Sequence, residues 1–143
     1  MGFSSYTSTA ILNAMFGKTS DFGALSNAPT LYAALSNTDP IASGVTEPSG
    51  NGYTRVATAV SDWAAAAGSS PVVLENANKV AFPECEDEWV DVSYFALMDA
   101  ETSGNIIMSG QIIGPNKGNA ITKSLTDGDS FTAAPGQFKA QLS

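Results

Sequence analysis

The side chains able to do chemistry in this chain are mostly carboxylates: fourteen Asp plus Glu stand against six Lys plus Arg, and there is no histidine. The commonest general base and the commonest metal ligand are therefore missing, and Ser-His-Asp or Cys-His catalysis is impossible. No serine stands three residues before a lysine, so a Ser-x-x-Lys site is absent as well. One cysteine, Cys85, without histidine excludes a zinc site in practice and allows no intrachain disulfide. It reads as an unpaired thiol in a chain made in a reducing cytoplasm.

Two acidic groupings remain. Glu84, Glu86, Asp87, Glu88 and Asp91 place five carboxylates within eight residues. Oxygen donors so placed could hold calcium, but the plainer reading is a charged loop tip that keeps a strand entrance soluble. Asp127-Gly128-Asp129 falls short of calcium-loop spacing and reads as a turn. Gly50-Asn51-Gly52 runs into a strand pattern, not a Lys-Ser/Thr phosphate loop, and is also a turn. A carboxylate pair for glycoside hydrolysis needs no fixed sequence spacing, and Trp63, Trp89 and the four tyrosines could supply sugar platforms. Core packing accounts for those aromatics equally well. The expectation is a non-enzyme with no cofactor and no metal.

The elements around these groups are mostly short strands. Trp89 to Ala100, then Glu101 to Asn105, then Ile106 to Ile112 reads as a β-hairpin closed at Gly104-Asn105, with both arms expected mid-sheet because they are apolar on both faces. Ser4 to Phe16 has helical spacing, with Tyr6, Ile11, Leu12, Met15 and Phe16 mostly on one face, a serine cap at its start and Gly17 at its end. About three turns is too short to be stable alone, so this helix must dock on its own domain or on a neighbour. Residues 18 to 29 read as loop, Thr30 to Leu35 as a strand, and residues 36 to 52, with Pro40, Gly44, Pro48, Gly50 and Gly52, as a long loop without secondary structure. Loops of that length are usually functional or contact-making. Tyr53 to Val60 alternates as a strand; Ser61 to Pro71 reads as a bent strand or loop. Val72 to Leu74, Asn78 to Phe82 (stopped by Pro83), Ala120 to Leu125, Ser130 to Ala133 and Gln137 to Leu142 follow as strands. Turns are placed at residues 114 to 118 and 126 to 129.

Roughly nine short strands and one helix predict an all-β, single-domain antiparallel β-sandwich, jelly-roll-like, over residues 18–143, preceded by a helix or arm over residues 1–17. The size suits one domain. Charged residues make up only 14%, below the roughly 25% of average soluble domains, so the surface is rich in Ser, Thr, Asn, Gly and Ala or is covered by other chains. The net charge of −8 disfavours nucleic acid. No stretch is apolar enough to span a bilayer, and Met1 to Gly17 lacks the basic leader and cleavage site of a secretory signal.

Several blocks in order carry a resemblance: Thr30 to Pro40, Thr46 to Val56, Asn78 to Pro83, and Trp89 to Ala100 with Ser103-Gly104-Asn105. Over about residues 6 to 142 the chain resembles a family of small tailed-bacteriophage virion proteins, often labelled tail fibre-like. The loop before Trp89 is more acidic than that pattern and carries Cys85, and Ser61 to Pro71 is richer in alanine. The resemblance implies an all-β virion protein with no catalytic residues to carry over. With the composition, it leads to an expectation of a cement (decoration) protein on the capsid exterior. Its partners would be its own copies, as a homotrimer, and the major capsid protein, with no nucleic acid and no membrane. Tyr6, Ile11, Leu12, Met15 and Phe16 of the helix and Pro40, Val45 and Pro48 of the long loop are the candidate subunit or shell contacts. A tail-tip or fibre-like protein and a glycan-binding virion protein are the alternatives.

Overall fold

A computed structural model describes residues 4–18, 30–69, 71–115 and 118–142. In chain order the elements are α1 (Ser5–Met15), β1 (Leu31–Ser36), α2 (Pro40–Ser43), β2 (Val56–Thr58), β3 (Val72–Glu75), β4 (Val80–Glu84), β5 (Glu88–Val92), β6 (Tyr94–Met98), β7 (Ile106–Gln111), β8 (Lys123–Thr126), β9 (Ser130–Ala133) and β10 (Lys139–Leu142). All strand pairings are antiparallel, and the result is an all-β, sandwich-like domain with a short N-terminal helix.

One layer is a four-stranded sheet in the order β2-β1-β6-β7. Alternation along β1 and β6 sends Leu31, Ala33, Leu35, Phe95 and Leu97 into the main core, and Ala34, Ala96 and Met98 to the opposite face. The other layer is built from the β3-β10 pair and the β4-β9 pair. Phe138 joins the layers: its ring stacks on Phe95 at 4.6 Å between centroids, and Phe82 and Phe131 lie within 6.4 Å and 6.2 Å of it. Asn76 is buried beside them, and every polar atom of its side chain is used. Its Nδ2 donates to the carbonyls of Asn78 and Ala134, and its Oδ1 accepts from the Phe138 N–H at 3.0 Å. A satisfied amide there fixes the chain crossing at low cost.

The hairpin expected at Trp89 to Ile112 forms only from Tyr94 onward. Tyr94–Met98 pairs with Ile106–Gln111, but Glu88–Val92 leaves that sheet and pairs with β8 instead. The break is at Asp91, whose φ is 51°, and Ser93, whose hydroxyl donates to the Asp91 carbonyl. Only one arm is central. β6 is buried between β1 and β7, whereas β7 is the sheet edge and its residues are half-buried. At the turn, Asp99 Oδ1 accepts from the Asn105 N–H at 2.6 Å and Oδ2 from its amide at 2.8 Å. Gly104 has φ 79°, and a Cβ there would strike the Asp99 carboxylate and Ala100, so the turn requires glycine.

Three other sequence readings differ from the structure. Pro83 does not stop β4; it sits where the register shifts between Ala81 and Glu84, a place in a ladder that tolerates a missing N–H. The strand read over Tyr53 to Val60 is confined to Val56–Thr58. The loop 36–52 contains the helical turn α2, because Asp39 accepts from the N–H groups of Ile41 and Ala42 and Pro40 sits at the first helical position. The readings over residues 19–29 and 116–117 lie outside the described residues.

Candidate functional site

The helix α1 begins at Ser4, whose Oγ accepts from the Thr7 N–H, and closes at Gly17 with φ 66°. Its apolar side is spent inside the chain. Leu12 and Phe16 are in the main core, Met15 packs against it, and the Phe16 ring meets Trp63 edge-on at 5.5 Å. Asn13 Oδ1 accepts from the Ala66 N–H, and Lys18 Nζ donates to the Val60 carbonyl. Of the helix residues expected to make contacts, Ile11 is half-buried and Tyr6, at 60% exposure, is the one that faces outward.

The 36–52 loop is likewise pinned to its own domain. Ser36 Oγ accepts from the N–H groups of Thr38 and Thr46, and Thr38 Oγ1 donates to the Gly44 carbonyl. The loop lies over the outer face of the four-stranded sheet, where Val45 packs with Ala34, Ala96 and Met98. Pro40 is buried, and Val45 and Pro48 are half-buried. The loop residue that points outward is one the sequence reading passed over, Ile41, at 75% exposure. The Asp39-Pro40 pair just before it, a helix-start signature, is the signal that could have found it.

The loop then reaches a polar cluster that ties it to the turn between β6 and β7. Arg55 Nε donates to Glu47 Oε1 at 3.0 Å and Nη2 to Oε2 at 2.7 Å, a two-pronged pair. Its Nη1 donates to the carbonyls of Ala100 at 2.8 Å and Ser103 at 2.7 Å. Tyr53 donates its hydroxyl to Glu47 Oε1 at 2.7 Å and accepts from the Leu35 N–H at 2.9 Å. Burial raises the Tyr53 hydroxyl well above its ordinary value, and the hydrogen bond to Glu47 raises Arg55 further. A cleft of about 440 Å³ opens over this cluster, with Pro48, Ser49, Thr54, Glu101 and Thr102 among its walls.

With these surfaces placed, the family can be assigned. A model of the family described as "Podophage GP4 fiber I protein gp80" matches residues 2–141. The chain belongs to this family. It is thus a bacteriophage virion structural protein of the gp80 kind, as the order of sequence blocks implied. No curated protein matches it.

The gp80-type domain keeps the acidic stretch before and after Trp89 exposed. Glu84, Glu86, Asp87, Glu88 and Asp91 are all on the surface, and no three acidic or cysteine side chains converge as a metal site among the described residues. Cys85 is fully buried between them: its N–H donates to the Asp129 carbonyl at 2.7 Å, and its thiol faces the Leu125 carbonyl at 3.9 Å. The acidic stretch is therefore one side of a ribbon in which residues 80–92 run antiparallel to residues 123–133, with Trp89 and Leu125 beneath it. At the opposing turn Asp129 accepts from the Thr126 N–H at 2.9 Å, which holds its carboxyl below the usual value. Trp89 is a core residue, with its indole N–H donating to the Asn51 carbonyl at 3.0 Å, and Trp63 donates to Thr58 Oγ1 at 3.1 Å. Neither tryptophan is a platform for a ligand; both are at most 2% exposed.

Proposed function

We propose that this chain is a non-catalytic packing subunit of the virion that belongs to the tail-fibre apparatus. The observation that carries the reading is the family match over residues 2–141, whose description names a fibre protein. Three observations support a role without catalysis. Glu84, Glu86, Asp87, Glu88 and Asp91 are exposed on strands and turns and form no metal-binding group among the described residues, both tryptophans are buried, and Arg55 bridges two loops.

A second reading, a decoration protein bound as a homotrimer to the major capsid protein on the shell exterior, is favoured by one feature. The described chain is a sandwich without the long shaft or heptad run that fibres use to reach outward. Copy number separates the two. Quantitative mass spectrometry of purified virions should find a handful of copies per particle for a fibre-associated subunit, and labelled antibody should mark the tail. Hundreds of copies, with label over the head, would transfer the assignment to decoration. Absence from the purified particle would overturn both.

A further inference from the structure

We infer that the cleft over the Glu47–Arg55 pair is a binding site for a neutral saccharide, wherever on the virion the subunit sits. The floor of the cleft is built in advance. The Arg55 side chain is 7% exposed, and four of its five N–H donors are fixed, on Glu47 Oε1, Glu47 Oε2, the Ala100 carbonyl and the Ser103 carbonyl. The fifth, on Nη2, has no partner among the described residues. Glu47 Oε1 already accepts from both Tyr53 and Arg55, while Oε2 accepts from Nη2 alone and keeps a free lone pair. One unused donor and one unused acceptor therefore sit side by side, on groups that cannot rotate away. A hydroxyl both donates and accepts, and neighbouring hydroxyls on a sugar ring present that pair at matching spacing.

The walls agree with this ligand class. Ser49, Thr54, Thr102 and Ser103 are exposed and carry hydroxyls that can turn either way, and Pro48 offers a half-buried apolar side. The volume of about 440 Å³ lies in the range of small-ligand sites. Charge selects further. Arg55 neutralises Glu47, which leaves Glu101 as the unbalanced charge of the cleft on a chain of net charge −8, so carboxylated sugars and phosphates are repelled. A protein partner fits less well, because the cleft shows no exposed aromatic or large aliphatic anchor.

The test is an NMR titration of the full chain, following the Arg55 Nε–H signal and the amides of residues 49–54 and 101–104. The probes are glucose, galactose, N-acetylglucosamine and N-acetylgalactosamine, with glycerol and N-acetylneuraminic acid as comparators. An open cleft and a single sugar ring imply a Kd on the order of millimolar. At least one neutral sugar should give saturable shifts confined to these signals, with both comparators weaker by about tenfold or more. Ser49→Trp, an exposed loop position, should fill the cleft and weaken binding about tenfold while the rest of the spectrum keeps its dispersion. Thr132→Trp, at an exposed position outside the cleft lining, should leave binding unchanged. If no neutral sugar saturates, if glycerol or the acidic sugar does as well, or if S49W binds like the wild type, the inference fails. None of these outcomes depends on whether the subunit is found on the tail or the head.

Discussion

Replacing Arg55 by alanine tests the polar cluster that ties the 36–52 loop to the β6–β7 hairpin. The substitution deletes four hydrogen bonds and leaves the Glu47 side chain, 23% exposed, with the Tyr53 hydroxyl as its remaining partner. Breaking a fully buried, hydrogen-bonded pair costs about 3–5 kcal/mol. Glu47 keeps some water, so the expected loss here is about 2–4 kcal/mol. For a chain of 143 residues the unfolding entropy is about 0.3 kcal/mol per kelvin, so Tm should fall by about 10 °C. Urea unfolding of the wild type, Arg55→Ala, Glu47→Ala and the double variant closes a thermodynamic cycle. The double variant should lose about 1.5–3 kcal/mol less than the two singles combined, because the second truncation removes the charge that the first stranded. Arg55→Lys should fall between, since a lysine keeps the charge and cannot span both carboxylate oxygens and two carbonyls. A coupling below about 0.5 kcal/mol would refute the clamp and reduce the pair to an ordinary surface ion pair.

Along α1 the structure fixes an order of effects. Leu12→Ala should cost about 2–4 kcal/mol, and Ser8→Ala, which removes a hydroxyl buried with no hydrogen-bond partner among the described residues, should stabilise by about 1 kcal/mol, with Tyr6→Ala, at an exposed position, falling between them. Chemical denaturation of the three variants checks the order; a neutral Leu12→Ala would mean the helix is not held in the core. Asp129 sets an acid limit. Its native pKa is lowered, chiefly by the Thr126 N–H, from an ordinary value of 3.8, so its contribution is present above that value and disappears as pH falls through the lower native one. Asp129→Asn should be less stable than the wild type at neutral pH, and the two unfolding curves should converge in strong acid; a constant gap across that range would exclude the assignment.

What the sequence could reveal was set by how local each cause is. The pairing of Tyr94–Met98 with Ile106–Gln111 was readable because the apolar runs and the Gly104 turn that joins them lie within one stretch. The departure of Trp89–Val92 to another sheet was not. Nothing stronger than Asp91 and Ser93 marks it, and the strand that captures it, Lys123–Thr126, lies some thirty residues away. The same limit governs Arg55. Its pairing with Glu47 spans a short Gly-rich turn and could be guessed, but the Ala100 and Ser103 carbonyls that complete the clamp are 45 and 48 residues distant. The 36–52 loop was expected to make subunit or shell contacts, and what it covers in the structure is its own domain. The covered surface is the chain's own sheet, which is why Pro40 and Val45 are turned inward and Ile41 is not.

That inward turn constrains how the domain meets its neighbours. Leu12, Phe16 and Pro40 are buried in the chain's own packing, so a neighbour meeting the fold as described cannot reach them, and Val45 is half covered. Among the described residues the large apolar side chains left exposed are Tyr6, Ile41, Val60 and Val90, carried by four separate elements or turns. Four such side chains are few for the apolar core of an obligate interface. Contacts through the described surface are then expected to be mostly polar and wet, each anchored by one or two of these side chains. Weak contacts hold a subunit on a particle when several engage at once, because every contact after the first is intramolecular. A virion, which repeats the same neighbours in fixed geometry, supplies that condition, and a low-charge surface of Ser, Thr, Asn and Gly is the kind that packs many polar contacts with little charge to desolvate.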